Sequence, residues 1–350
     1  MISVPKVIGH SPSRTEAFVD DANSDDDRLS VLYIDGTARS GSTILARMVG
    51  AQSHFMTVGE ACLIWRFGVT GNGRCSCGDE FSSCSFWNDV ADCAPGIFDI
   101  ETAQRYVAFL NTTVLQSRRL PHLWTARGRS RIVDQLPEGF LDDLSRLYRA
   151  IRTVSGAEVI VDGSKFPAYG FLLCLVPDIN VTIVQLIRDP RAVAFSWQRR
   201  KVTNASRETD ESQYFHKRAA SVAALDWVLQ NLSIDIIDSL GDRGYRLHYE
   251  DFIARPDAIT DEFMGIMGVA GDSVGRSDDR VINLPAVHIF GNPNRFDAGG
   301  VRIQLDDEWQ RNMASGSRLL VTAITWPLLV TYGYPLRAFA PTRATLRQRN

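Results

Sequence analysis

The sequence has few cysteines, almost no net charge and no long apolar run. Six cysteines in 350 residues do not make a disulfide-rich secreted scaffold. A formal net charge of −3 excludes a polycationic nucleic-acid-binding protein. No run approaches the roughly 18 apolar residues that a membrane span needs, and the N-terminus lacks the apolar core of a secretory signal. We therefore expect a cytoplasmic protein with no transmembrane segment and no nucleic-acid partner.

The composition is otherwise that of an ordinary globular chain, with 45% hydrophobic and 23% charged residues. Residues 1–28 are polar and acidic, which predicts a disordered leader. Residues 29–336 are predicted to form a single domain, and residues 337–350 a basic tail. No internal repeat is present.

The segment 31–43, VLYIDGTARSGST, is the most informative part of the chain. Gly36 and Gly41 have the glycine spacing of a P-loop, G-x-x-x-x-G-K-[ST]. Ser42 stands where that motif has lysine, and the cation of this loop is Arg39. Backbone N–H groups at the start of a helix still bind phosphate, but the lysine that reaches a γ-phosphate is missing. The loop therefore predicts a nucleotide whose terminal group is not the usual γ-phosphoryl.

Short apolar strands alternate with helical patterns along the domain. This alternation predicts an α/β fold, a three-layer sandwich with a central, mainly parallel sheet and helices on both faces. The predicted strands are 31–36, 158–162, 181–187 and 245–248. The predicted helices are 42–51, 101–117, 138–154, 167–175, one from Pro190, 212–239, 256–268 and 306–331, the last broken at Gly316 and Pro327.

Cationic residues follow three of the predicted strands. Ligands of such sheets bind at the carboxyl ends of the strands, so we expect Arg39, Lys165 and Arg188 to converge. Ser196 follows Arg188 by two helical turns in IRDPRAVAFS, and a guanidinium with a hydroxyl can bind one phosphate. The alternative is a salt bridge at Arg188 and an ordinary helix serine.

With these motifs the chain resembles sulfotransferases that use 3′-phosphoadenosine 5′-phosphosulfate (PAPS), over about residues 31–310. The loop RSGST resembles the 5′-phosphosulfate loop of that family, and Arg188 with Ser196 resembles its 3′-phosphate motif. RDPRAVAFSW and GNPNRF resemble segments of bacterial members. The resemblance implies a P-loop NTPase-like fold, PAPS as the sulfuryl donor, and no metal requirement. It implies donor-binding roles for Arg39, Ser40, Gly41, Ser42, Thr43, Arg188, Ser196 and Arg295.

The resemblance also implies three catalytic residues, Glu60, Lys165 and Arg39. Glu60 lies in a "GE" context similar to that of the catalytic glutamate of tyrosylprotein sulfotransferases, where it would take the acceptor's proton; His54 is a rival base. Lys165 resembles the lysine of the bacterial D-S-S-K-x-P pattern, with Gly163 in place of the first serine. Lys165 and Arg39 would stabilise charge on the transferring group and the leaving phosphate.

Four cysteines, Cys75, Cys77, Cys84 and Cys93, lie close together in the segment 62–98. We expect this loop-rich segment to form an insert near the acceptor site. A zinc site, a disulfide-tied loop and free thiols all remain open.

The expected activity is transfer of a sulfuryl group from PAPS to a hydroxyl or phenol of a small molecule or glycolipid. One alternative is a P-loop kinase-like phosphotransferase, with Asp162 as the magnesium-binding acid. The other is a non-catalytic nucleotide-binding protein. Polyketide and peptide tyrosine acceptors are open as well, and so is the oligomeric state.

Overall fold

The protein is described from a computed structural model at residues 28–199, 217–241, 243–269, 281–282, 301–336 and 347–348. Strands and helices alternate over most of this length. The strands are β1 (Leu29–Asp35), β2 (Phe55–Gly59), β3 (Val159–Asp162), β4 (Ile179–Ile187), β5 (Arg243–His248), β6 (Val281–Ile282), β7 (Val301–Arg302) and β8 (Arg347–Gln348). The helices are α1 (Ser42–Gly50), α2 (Ser85–Cys93), α3 (Ile100–Phe109), α4 (Ala126–Val133), α5 (Phe140–Ser155), α6 (Pro167–Leu173), α7 (Pro190–Gln198), α8 (Ala220–Ile237), α9 (Tyr249–Ala254), α10 (Pro256–Ile266), α11 (Trp309–Asn312) and α12 (Ser315–Thr331).

The centre is a sheet in the order β2-β3-β1-β4-β5-β8. The first five strands in that order are parallel, and β8 pairs antiparallel with β5. Strand β1 lies in the middle and is buried along almost its whole length, which explains its nearly continuous apolar sequence. The predicted α/β fold with a mainly parallel sheet is confirmed.

Alternate residues of β1 belong to two different cores. Leu29, Val31 and Tyr33 pack with residues of α5 and α6. Leu32 and Ile34 pack with residues of α1, α9 and α10. Because successive side chains of a strand point to opposite faces, helices cover both faces of the sheet, and the three predicted layers are present.

The strand β2 has no counterpart among the predicted strands, and the segment 62–98 contains more helix than expected. It includes a π-helical turn at Ile64–Val69 and the helix α2. The predicted helix 101–117 is α3 followed by a second π-helical turn, Leu110–Val114.

The predicted helix 306–331 is divided at Met313 and Ala314, just before Gly316, into α11 and α12, and the predicted break at Pro327 was wrong. Gly316 lies in the first turn of α12, and the helix continues through Pro327. A proline inside a helix removes one backbone hydrogen bond. The carbonyl that loses its donor is that of Ala323, and both Ala323 and Pro327 are exposed, so this carbonyl is open to solvent.

One described helix is long and apolar enough to cross a membrane by length and composition alone, although it is not a continuous apolar run. It is α8, with 18 residues and a mean hydropathy of 1.2. This helix packs against α7 and α12 and contacts β4, and a buried core helix meets the same criteria.

The structure describes little of the predicted leader and tail. In the leader, residues 1–28, only Arg28 is described, and in the tail, residues 337–350, only the strand β8 is described.

Candidate functional site

A cavity of about 480 Å³ opens at the carboxyl edge of the parallel sheet. Each of the five parallel strands supplies one of its lining residues just beyond its end. Across the sheet these are Glu60 after β2, Lys165 after β3, Arg39 after β1, Arg188 after β4 and Tyr249 after β5. The strand order therefore places the glycine loop between the Glu60–Lys165 side and the Arg188–Tyr249 side.

The predicted site residues meet in this cavity, with two exceptions. Ser40 is fully buried within the loop, where its N–H donates to Thr37 O over 3.1 Å. Arg295 lies outside the described residues. The predicted residues that line the cavity are Arg39, Gly41, Ser42, Thr43, Glu60, Lys165, Arg188 and Ser196.

The loop between β1 and α1 is tightly packed. Gly41 has a φ of 97°, and a Cβ atom there would lie 2.6 Å from the Tyr249 ring. Arg39 has a φ of 74°, a left-handed conformation that is costly for a residue with a side chain. The first N–H groups of a helix have no intrahelical acceptor, and the start of α1 lines the cavity at Ser42 and Thr43.

Three polar atoms at this loop are buried and have no hydrogen-bond partner among the described residues. They are Thr37 Oγ1, Ser40 Oγ and Arg188 Nε. Leaving a buried polar group unpaired costs about 1–3 kcal/mol. Of these three residues only Arg188 lines the cavity, so its Nε is the unpartnered donor closest to a ligand bound there.

Glu60 and Lys165 form an ion pair, with 2.5 Å between Glu60 Oε1 and Lys165 Nζ. Both side chains are largely buried, with 10% and 14% of their surface exposed. Lys165 has a φ of 64°, and Tyr33 fixes the next residue. The Tyr33 hydroxyl donates to Phe166 O over 2.8 Å and accepts from Phe166 N–H over 3.0 Å.

Asp162, at the end of β3, holds the Glu60 and Lys165 segments together. Its carboxylate accepts from Ser164 N–H over 2.8 Å and from the Ser164 hydroxyl over 2.6 Å, and the Ala61 N–H approaches it at 3.4 Å. The Tyr148 hydroxyl donates to its other oxygen. Burial raises the pKa of Asp162 to about 6. Both of its oxygens are engaged within the fold, which disfavours the magnesium-binding role that a kinase would require.

Arg188 contacts the glycine loop directly. Its Nη1 donates to Arg39 O over 2.9 Å, and its Nη2 donates to Asp306 O over 3.0 Å. A salt bridge of 3.2 Å joins Arg188 Nη2 to the Asp306 carboxylate. The salt bridge considered as an alternative for Arg188 is therefore present, and it lies inside the same cavity as Ser196.

Asp306 lies between two arginines, Arg188 and Arg199. Burial by itself raises the pKa of Asp306, but the positive charges of these two arginines hold it below the ordinary value. The carboxylate occupies the position next to the Arg188 guanidinium that an anionic ligand would take.

Sequence reasoning missed several residues of the cavity. The guanidinium carbons of Arg39 and Arg218 both lie over the Trp197 ring, at 5.1 Å and 4.4 Å from the ring centroid. Trp197 directly follows Ser196, which is the one signal that could have identified it. Arg66 Nη1 donates to Asn111 Oδ1 over 3.0 Å, and both residues stand on π-helical turns, which are frequent at functional sites.

The cavity is strongly cationic. Its described lining contains five cations and two carboxylates, although the whole chain has a net charge of −3. The cations are Arg39, Arg66, Lys165, Arg188 and Arg218, and the carboxylates are Glu60 and Asp306. This arrangement favours a ligand with several negative charges.

His54 is not near the cavity. It precedes β2, at the opposite edge of the sheet, and its Nδ1 lies 2.7 Å from Glu158 Oε1. The fold thus separates this rival base from the loop and leaves Glu60 as the carboxylate next to Lys165.

All six cysteines are described, and all are free thiols. The segment 62–98 reaches the cavity through Leu63 and Arg66. Cys75, Cys77 and Cys84 lie together in that segment, whereas Cys93 is exposed at the end of α2.

Three solved structures similar to this chain are sulfotransferases, the class that its motifs resemble. The sulfotransferase domain of the Synechococcus PCC 7002 olefin synthase is 19% identical, covers 89% of this chain and 97% of that chain, and has a TM-score of 0.44. The sulfotransferase domain from the curacin biosynthetic pathway is 15% identical, with 87% and 99% covered and a TM-score of 0.41. Sulfotransferase STF9 from Mycobacterium avium is 12% identical, with 90% and 80% covered and a TM-score of 0.44. No protein-family model and no curated protein matches the sequence. At such low identities and TM-scores, no residue's role transfers to this chain.

Proposed function

We propose that this chain transfers a sulfuryl group from PAPS to a hydroxyl or phenol. The observation that supports the proposal is one cavity with cations on both sides of a glycine loop. Lys165 lies on one side and Arg188 on the other, and Arg39 belongs to the loop itself. PAPS carries two separate anionic groups, a 5′-phosphosulfate and a 3′-phosphate, and it supplies the sulfuryl group that is transferred.

The start of α1 would hold the 5′-phosphosulfate. The backbone N–H groups of Ser42 and Thr43 have no intrahelical acceptor, and the positive end of the helix dipole favours an anion there. Arg39 adds a full charge beside them. Burial, followed by the nearby charge of Arg199, lowers the pKa of Arg39 below its ordinary value, so an anion next to its guanidinium is favourable.

Arg188 and Ser196 would hold the 3′-phosphate. Arg188 is already paired with Asp306, so a phosphate has to displace that carboxylate or share the guanidinium with it. The unpartnered Nε of Arg188 is a further donor. Trp197, next to Ser196 in the chain, lines the same cavity and carries the guanidinium groups of Arg39 and Arg218 on its ring.

Glu60 would act as the general base. It takes the acceptor's proton while the acceptor oxygen forms its bond to sulfur and the bond from sulfur to the 5′-phosphate oxygen breaks. The products are a sulfate ester and adenosine 3′,5′-bisphosphate. Lys165, 2.5 Å from Glu60, would move its ammonium group to the oxygen that becomes negative as the bond breaks.

The acceptor would enter on the Glu60 side of the cavity. The lining there mixes apolar and polar groups, among them Leu63, Arg66, Asn111 and Gln116. Such a lining suits the hydroxyl-bearing small molecules or glycolipids expected from the sequence.

The kinase alternative has less support. Ser42 replaces the lysine of the P-loop motif, and the Asp162 carboxylate is hydrogen-bonded on both oxygens by Ser164 and Tyr148. A non-catalytic nucleotide-binding protein would not need the buried Glu60–Lys165 pair.

The proposal is tested by incubating the full chain with PAPS and a panel of phenols, sugars and glycolipids, without magnesium. We expect one acceptor class to gain the mass of one SO₃ group, with formation of adenosine 3′,5′-bisphosphate. A parallel reaction with ATP and magnesium serves as the control. Phosphorylated products there, with no sulfated product from PAPS, would establish the kinase alternative instead.

A further inference from the structure

Three cysteine thiols come together in the segment between the π-helical turn Ile64–Val69 and α2. The Sγ atoms of Cys75, Cys77 and Cys84 all lie within 4.8 Å of one another, and those of Cys77 and Cys84 are 3.6 Å apart. Ligands about 2.3 Å from a tetrahedral zinc ion are separated by about 3.8 Å. The thiols are thus spaced as zinc ligands are, and much farther apart than the roughly 2 Å of a disulfide.

The local backbone builds this arrangement from two sides. Cys75 and Cys77 belong to a tight turn, in which Gly78 N–H donates to Cys75 O over 2.9 Å and Cys75 N–H donates to Asp79 O over 2.7 Å. Gly78 has a left-handed φ of 106°. Cys84 comes from the other side, directly before the start of α2. A turn that presents two thiols to a third at a helix start is a rigid donor set.

A carboxylate lies next to one of the three thiols, that of Cys77, and would turn toward the other two when an ion binds. Asp79 Oδ2 is 3.8 Å from Cys77 Sγ, and carboxylate oxygens bind zinc at about 2.0–2.2 Å. Cys75 and Cys84 are buried, while Cys77 and Asp79 are exposed. An ion could therefore enter from solvent and be held against the interior.

We propose that Cys75, Cys77 and Cys84 bind one Zn²⁺ as thiolates, with the Asp79 carboxylate as the fourth ligand. Binding releases the three thiol protons to solvent. Four protein ligands leave no open position, so the ion is structural, and the site lies outside the lining of the cationic cavity. The inference does not depend on the proposed sulfuryl transfer.

The ion would stabilise the segment that carries Arg66 into the cavity. Gly73 N–H donates to Phe67 O over 2.6 Å, and Phe81 N–H donates to Gly73 O over 3.0 Å. The Phe81 ring also packs on Gly68, where a Cβ atom would lie 2.8 Å away. The cysteine turn is thus joined to the π-helical turn Ile64–Val69 by both backbone and side-chain contacts.

The test measures metal content in the full chain after expression with added zinc and purification under reducing conditions without chelator. We expect about one zinc ion per wild-type chain, measured by inductively coupled plasma mass spectrometry. Cobalt(II) substitution should give thiolate charge-transfer absorption and the strong visible bands of a tetrahedral site. Cys77→Ser changes an exposed side chain and should fold, yet lose the metal and both spectral features.

Cys93→Ser is the matched control, because Cys93 is also exposed and belongs to the same segment; it should keep the full zinc content. Asp79→Ala should lose zinc to a competing chelator at a lower chelator concentration than wild type. Three results would each overturn the site. They are a wild-type protein without zinc, an unchanged zinc content in Cys77→Ser, and a Cys77–Cys84 disulfide in protein purified without reductant. Unchanged affinity in Asp79→Ala would overturn the fourth ligand.

Discussion

At the scale of single residues, the chemistry of the site depends on the Glu60–Lys165 pair. Both side chains are mostly buried, and each reaches the other from a different strand end. The backbone N–H groups of Ala61 and Cys62 donate to Asp162 and Ser164. These hydrogen bonds join the segment after Glu60 to the segment before Lys165. In the proposed reaction, the Glu60 carboxylate takes the proton of the acceptor hydroxyl.

Glu60→Gln should lower kcat by about 10²–10⁴-fold, the usual contribution of a general base. The amide keeps the size of the side chain but cannot take a proton at neutral pH. Affinity for adenosine 3′,5′-bisphosphate should be kept, because the substitution only removes a negative charge from a cavity for anions. The measurement is steady-state turnover with the acceptor found in the PAPS screen, beside a nucleotide titration.

Glu158→Gln is the matched control for that substitution, since Glu158 is an exposed carboxylate paired with His54 at the far edge of the sheet. Its turnover should equal that of wild type. Full turnover in Glu60→Gln would remove Glu60 from the mechanism.

At the scale of elements, the β1–loop–α1 unit positions the site. Its loop is constrained from both sides, by Leu186 O against Gly36 and by the Tyr249 ring against Gly41. Glycine is required at Gly41 for two reasons, its left-handed φ and the absence of space for a Cβ atom.

Gly41→Ala should therefore lower the free energy of unfolding by more than about 1 kcal/mol. It should also weaken nucleotide binding, because the loop and the start of α1 must shift. Chemical denaturation and a nucleotide titration measure the two effects.

Gly316→Ala provides the comparison, because a Cβ atom there meets no atom within 4 Å and the residue lies in α12. Alanine favours a helix by up to about 1 kcal/mol over glycine, so this variant should be as stable as wild type or more stable. Equal stability of Gly41→Ala and wild type would contradict the packing account of the loop.

Elements whose sequence signals are local were predictable from the chain alone. The apolar run of β1, the glycine loop and the prolines that open α6 and α7 all carry such signals. Their order along the chain was enough to predict that Arg39, Lys165 and Arg188 meet at one edge of the sheet.

Other parts of the site depend on contacts between distant segments. Asp306 approaches Arg188 from more than a hundred residues away, and no spacing in the sequence indicates that pairing. The π-helical turns that carry Arg66 and Asn111 follow from tertiary packing, not from a periodic pattern. The local sequence at Pro327 predicts a helix break, but Pro327 is exposed and α12 continues through it.

At the scale of the whole molecule, charge is distributed unevenly. A chain with a net charge of −3 concentrates five cations around one cavity, on both sides of the loop. We propose that two of these cationic positions bind the two anionic ends of one adenine nucleotide.

Calorimetric titration with two nucleotides, without magnesium, tests this claim most directly. Wild type should bind adenosine 3′,5′-bisphosphate more tightly than adenosine 5′-monophosphate. Arg188→Ala should weaken binding of the bisphosphate by about ten- to hundredfold, since a hydrogen bond to a charged group contributes about 1.5–3 kcal/mol, and should affect the monophosphate far less. Equal weakening of both nucleotides, or no binding of the bisphosphate to wild type, would contradict the account.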